Sequence, residues 1–211
     1  MLARQASPLL TEAEYLEQEE HAEIRHEYHQ GELYMMAGGS ANHAQIAVNF
    51  LMEFHAFLRD RSCRALGSDM RVKIEIPPKR PLKSASVHYV YPDFSVTCDP
   101  ADLGNANALT GPKVIGEVLS PSTAAYDQTQ KFELYKQLPS LEDYLLVSQT
   151  QKLVQVFHRL PSKINTWEVT YFYEQDVLLI PSLDFTCPVE RFYHKVVFEQ
   201  DIEMVGFPSE S

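Results

Sequence analysis

Two carboxylates stand where apolar residues predominate, and their chemistry is the first thing the chain offers. Glu117 interrupts the run Val114-Ile115-Gly116-Glu117-Val118-Leu119, and Asp93 follows Pro92 within His88–Thr97. A carboxylate inside a core strand must be hydrogen-bonded, ion-paired or metal-bound to offset its lost hydration. On its own, Glu117 is explained equally well by a lysine or tyrosine partner. Two carboxylates on adjacent strands change the weighting, because two hard oxygen ligands completed by water are a common way of holding Mg²⁺. An ion so placed polarises a phosphate and activates a water for in-line attack. Asp127, Lys131 and Tyr135 recur at i, i+4 and i+8 and share one helix face. As a plain surface pair, Asp127 and Lys131 would contribute only roughly a few tenths of a kcal/mol. A serine nucleophile is the weaker idea, since Ser120 and Ser122 lie in no G-x-S-x-G elbow, and no P-loop is present.

The elements that position these residues follow from periodicity. Thr11 and Glu14 fit a capping box ahead of a short acidic helix to about Glu20. Ile24–Tyr28 and Glu32–Ala37 form a hairpin across His29-Gln30-Gly31. From Asn42 to about Asp60 a helix carries a stripe of Ala47, Leu51, Phe54 and Leu58. Met70, Val72, Ile74 and Ile76 alternate with Arg71, Lys73 and Glu75 as in a half-buried strand. His88–Thr97 is expected as one strand, and Val114–Leu119 as a central strand covered on both faces. A helix over Asp127–Leu138 follows, then short strands at Tyr144–Val147, Leu153–His158, Trp167–Tyr173 and Val177–Ile180. This order predicts an α/β (α+β) fold, a mixed central sheet flanked by helices with an N-terminal helix and hairpin.

A chain of 211 residues suits one domain with a full core, here 1–211 with the core over about 11–195 and both termini flexible. The composition, 45% hydrophobic and 22% charged, argues against disorder. No apolar run is long enough for a membrane span, and the acidic N-terminus is no secretory signal. Cys63, Cys98 and Cys187 are scattered and form no CxxC, so three reduced thiols in a cytoplasmic protein are expected. The net charge of −11 counts against a tight, nonspecific nucleic-acid binder. Cations concentrate only at Arg59, Arg61, Arg64, Arg71 and Lys73, and again at Lys79, Arg80 and Lys83. Those stretches read equally as solvated surface or as a DNA-facing patch. Phe157, Trp167, Tyr171, Phe172 and Tyr173 offer more apolar surface than one thin layer needs, which predicts a homodimer.

Several elements in order resemble the Uma-two family (domain of unknown function 820), restriction-endonuclease-like proteins of the PD-(D/E)XK superfamily. They are Glu27–Leu33, His43 opening a helix, Ser68–Val72, Tyr91-Pro92-Asp93 and Gly116–Thr123. Asp127, Lys131 and Tyr135 follow, then Pro139–Tyr144. The resemblance implies a nuclease core acting on DNA with Mg²⁺, Mn²⁺ being a substitute. It makes Asp93 and Glu117 the catalytic carboxylates and places the metal at Asp93, Glu117 and Val118. Leu119 occupies the superfamily's lysine position, and Lys131 from the following helix is the matching residue. That lysine would neutralise charge and position or deprotonate water, its pKa lowered by low-dielectric surroundings. Glu32, His43, Asp127 and Tyr135 are accessory candidates, Glu32 as a further metal-side carboxylate. Its bland reading is an exposed hairpin residue, and that of His43 a helix cap. Two rivals remain: a binding or assembly protein on the same fold without catalysis, and a carboxylate-pair glycosidase.

Overall fold

A computed structural model describes residues 3–4, 8–36, 38–78, 85–104, 107–163 and 165–198. Lys79, Arg80 and Lys83, the C-terminal dozen residues and half of the N-terminal tail lie outside the described residues. Strands β1 (Ala3–Arg4), β2 (His26–His29) and β3 (Glu32–Met35) are followed by β4 (Arg64–Gly67) and β5 (Val72–Ile76). Next come β6 (Ser86–Val90), β7 (Phe94–Thr97), β8 (Pro112–Leu119), β9 (Asp143–Ser148) and β10 (Leu153–Arg159). Strands β11 (Trp167–Tyr173), β12 (Val177–Ile180) and β13 (Phe185–Pro188) complete the set. They build a five-stranded sheet ordered β1-β3-β2-β6-β5, a six-stranded sheet ordered β11-β10-β9-β8-β7-β4, and the β12–β13 hairpin.

The six-stranded sheet is mixed: β8 and β9 run parallel while its other pairs are antiparallel. A parallel pair requires a crossover. The crossover is α3 (Ala124–Tyr126), a π-helical turn over Asp127–Lys131, and α4 (Phe132–Tyr135), joined through helical dihedrals. One face of the sheet packs on α2 (Ala41–Leu58), the β12–β13 hairpin and α5 (Val189–Phe192), through Phe50, Phe54, Phe94, Phe185 and Phe192. The other packs on the crossover and the first sheet, through Val72, Ile74, Ile115, Phe132, Tyr135 and Tyr144. The buried stripe of α2 is Ile46, Phe50, Phe54 and Leu58, with Ala47 and Leu51 at its margin. Thr11 and Glu14 form the expected capping box of α1 (Glu12–Glu20), and Tyr15 stacks on Tyr28. Among the described residues no helix is long and apolar enough to cross a membrane.

Two expectations need correction. The stretch His88–Thr97 is not one strand, because its first half pairs in one sheet and its second half in the other. Pro92 lacks the N–H that a continuous ladder needs, and the chain changes sheets across Tyr91-Pro92-Asp93. The three cysteines are not all reduced: Cys63 and Cys98 form a disulfide, leaving Cys187 as the free thiol. β4 was not legible as a strand, yet it pairs with β7 in a register that sets Arg64 opposite Thr97. The next pair outward is Cys63 and Cys98, so sequence separation hid what strand pairing brings together.

Candidate active site

The crossing between sheets puts Asp93 at the start of β7, where Phe94 pairs with Gly116 of β8. One step further along that register, Asp93 comes abreast of Glu117. Gly116 is required there, since a Cβ on it would lie 2.0 Å from the Phe94 ring. That ring is held in turn against Phe50, centroid to centroid 4.7 Å. Asp93 Oδ2 accepts a hydrogen bond from the Val118 amide at 2.7 Å and lies 3.2 Å from His43 Nε2. His43 reaches it from the first turn of α2, whose N-cap is Ser40; the His43 amide donates to Ser40 Oγ at 3.1 Å. Burial pulls the His43 pKa down, but the Asp93 carboxylate outweighs it and holds the imidazole proton above its ordinary range.

Glu117, on the central strand β8, is 3% exposed. Its Oε1 accepts from the Tyr135 hydroxyl at 2.7 Å and lies 2.9 Å from Lys131 Nζ. The ammonium also lies 3.2 Å from Glu27 Oε1 and donates to the Tyr91 carbonyl at 3.0 Å. Its three N–H groups thus have three acceptors, with Asp127 Oδ1 a further 4.0 Å neighbour. The π turn sharpens this convergence. In a regular α-helix Tyr135 would lie roughly 80° around the axis from Asp127; the wider i→i+5 turn keeps residues four apart nearly in line. Asp127, Lys131 and Tyr135 are accordingly all buried.

The electrostatics correct one expectation. Burial does pull the Lys131 pKa down, yet Glu117, Glu27 and Asp127 outweigh it and hold the ammonium well above its ordinary value. Lys131 thus carries its charge in this metal-free arrangement. Burial pushes the Glu27 carboxyl up, but Lys131, His29 and Tyr126 more than reverse this and bring it down to about 2. Glu117 goes the other way: burial raises it well above the carboxylate range, Lys131 only partly offsets this, and Asp127 and Asp93 raise it further. Burial raises Asp127 as well. Lys131 and Glu27 are thus the settled ion pair, and the remaining carboxylates outnumber the cations that could neutralise them.

Glu27, His43, Asp93, Glu117, Asp127 and Lys131 line one cavity of about 70 Å³, together with Ser120, Ser122, Thr123 and Tyr126; Tyr135 is not in that lining and meets the site through its hydrogen bond to Glu117. Glu32 is not among the lining residues; its Oε2 accepts from the Tyr34 hydroxyl at 2.7 Å. Glu27 is the acid at the site instead. The hairpin register pairs Glu27 with Tyr34 and His29 with Glu32, so all four share one sheet face. Glu32 sits beside the turn set by Gly31 at φ +100°, while Glu27 lies inward over the helix. The signal was present in the strand period of two; what was missing was the knowledge that both faces of β2 are covered.

Mg²⁺ fits this donor set in a particular way. Among the described residues no three His, Cys, Asp or Glu side chains converge as a ready-made cage. The contacts named above fall on one oxygen of Asp93 and one of Glu117. Two carboxylates in a pocket with excess negative charge match an ion that keeps much of its water. The Val118 side chain is buried, and it is the Val118 amide that meets the site, through Asp93.

The family model described as "Putative restriction endonuclease" (Uma2) matches residues 12–190. The chain belongs to the Uma2 family. It is 36% identical over 191 residues to an uncharacterized protein of Synechocystis sp., slr1290, covering 90% of this chain and 95% of that one. A second uncharacterized Synechocystis protein, sll1609, is 38% identical over 151 residues, covering 71% and 80% respectively. Among solved structures, a "putative nuclease belonging to DUF820" from Anabaena variabilis ATCC 29413 superposes with a TM-score of 0.67 at 18% identity. It covers 89% of this chain and 99% of its own, and the two share the nuclease-like fold.

Proposed function

We propose that this Uma2 protein is a Mg²⁺-dependent endonuclease that hydrolyses phosphodiester bonds in DNA, with Mn²⁺ as a substitute ion. The observation that carries the reading is the convergence of Lys131 on Glu117 beside Asp93, in one cavity and from three separate elements. Asp93 and Glu117 would hold the ion, with Val118 alongside. Bound there, Mg²⁺ supplies Lewis-acid stabilisation of the phosphate charge. Lys131 adds a fixed positive charge where the transition state gains negative charge. Glu27 and the Tyr91 carbonyl keep that ammonium aimed at the cavity, and Tyr135 fixes the Glu117 carboxylate. His43, held by Asp93, is placed to donate a proton or hydrogen bond to a phosphate oxygen.

The whole chain is taken as one domain and as a homodimer that supplies two such sites. Phe157, Trp167 and Phe172 are spent on the cores, whereas Tyr171 and Tyr173 remain exposed on the edge strand β11 and would carry the pairing. With two thiols in a disulfide, the cysteines lend no support to a cytoplasmic setting.

The test is plasmid cleavage with Mg²⁺ or Mn²⁺, paired with a thermal-shift titration of the same ions. Asp93→Ala should lose both cleavage and the metal-induced rise in melting temperature. Lys131→Ala should keep the metal response and lose cleavage by orders of magnitude. A wild type that binds DNA but cleaves none with either ion would instead favour the non-catalytic binding protein, the reading to which the acidic charge lends weight.

A further inference from the structure

A second, larger cavity of about 910 Å³ opens beside the active site, between the β2/β3/β5/β6 sheet and the crossover helix. The two share Ser122 and Tyr126 as a common wall. Its described lining includes four planar rings, His29, Tyr34, His88 and Tyr126. Gln130 and Gln137 contribute amides, and Ser86 and Thr129 hydroxyls. No lysine or arginine is among the described lining residues, and Glu133 is paired with Lys136.

We propose that this groove binds an uncharged nucleobase, one unpaired base of the strand whose phosphodiester bond is presented to Asp93, Glu117 and Lys131. The location rests on the nuclease reading; the ligand chemistry rests on the groove. A phosphate would find no cation among the described lining residues. A base is planar and neutral, stacks on aromatic rings and offers donors and acceptors at its edge. His88 gives an independent reason to expect a polar ligand. It is 5% exposed, its Nδ1 meets His29 Nδ1 at 3.0 Å, and its Nε2 has no hydrogen-bond partner among the described residues. An unmatched buried nitrogen is costly, and a turn of the ring towards the groove would let a base edge supply its match. Burial, with the His29 charge, lowers His88 to about 4, so the ring is neutral at neutral pH.

The groove also answers the charge problem. With a net charge of −11, the chain has few cations to spend on phosphates, and several of its basic residues are engaged internally. Lys73 pairs with Glu12 and Glu75, and Arg71 donates to the Asn107 carbonyl. Stacking does not depend on net charge, and one base contributes roughly five- to a hundredfold in affinity.

Fluorescence anisotropy of the full chain without divalent metal reads binding with cleavage silent. The probes are a labelled single strand, the same strand with one abasic position moved along it, and the matching duplex. The intact single strand should bind about tenfold more tightly than the duplex and than the strand abasic at one particular position. Ala125→Trp, which fills the groove from the exposed face of α3, should erase that preference, and Gln130→Glu should weaken it. Equal binding of all three probes, or no effect of either variant, overturns the proposal. Free nucleosides that bind as tightly as the strand would overturn the strand as the source of the base. Base preference without any metal-dependent cleavage sinks the nuclease reading alone; cleavage without base preference sinks the groove alone.

Discussion

Replacing Glu27 by glutamine removes one negative charge from the centre of the site while keeping its shape. Glu27 is 1% exposed and faces Lys131, His29 and Tyr126. Its pKa falls from 4.5 to about 2, and at about 1.4 kcal/mol per tenfold change in proton affinity that amounts to about 3 kcal/mol of folding stability. For a chain of this size the loss corresponds to a melting temperature lower by about 6–12 °C. Because the folded pKa is depressed, the contribution is complete above pH 4.5 and is lost as pH falls from there towards 2. Urea denaturation of both proteins at a series of pH values measures this directly. The stability gap should be full at pH 7 and should narrow below 4.5. Removing Lys131 as well should cost less than the two single losses combined, since each single loss already removes the attraction within the pair. A variant as stable as the wild type at pH 7, or a gap that does not change with pH, would refute the assignment of Glu27 as the settled anion beside Lys131.

Gly116→Ala should destabilise by about 1–3 kcal/mol in thermal unfolding, because the new Cβ overlaps the Phe94 ring; a loss under about 0.5 kcal/mol would mean the ring has room to move. His88, ordinary value 6.5 and lowered to about 4, makes the unfolded chain bind the extra proton between these limits. Its contribution to stability therefore declines as pH falls from 6.5 to 4, by at most about 1.4 kcal/mol per pH step; an unchanged slope in His88→Asn would remove the assignment. Thiol titration of the denatured chain should find one reactive cysteine without reductant and all three with it. Three without reductant would exclude the Cys63–Cys98 bond.

The site was legible wherever a residue's role depends on local period, and it was hidden wherever the role depends on which sheet a strand joins. Lys131 and Tyr135 follow from spacing on one helix, and the π turn only sharpens that alignment. Glu117 stands out because an apolar strand has no ordinary use for a carboxylate. Asp93 was legible as a residue but not as a position, because Pro92 looks like an interruption in a strand and is the point where the chain leaves one sheet for the other. Glu27 carried no such mark: in a short hairpin rich in His, Glu and Tyr, the buried Glu27 and the half-buried Glu32 look alike until the partner helix is in place. The same limit explains the charge. A net of −11 reads from composition as a surface unsuited to phosphate, yet Glu27, Asp93, Glu117 and Asp127 all line one cavity around one lysine. Part of that negative charge is therefore concentrated inside the protein, where a divalent cation would relieve it, and need not repel a nucleic acid across the outer surface.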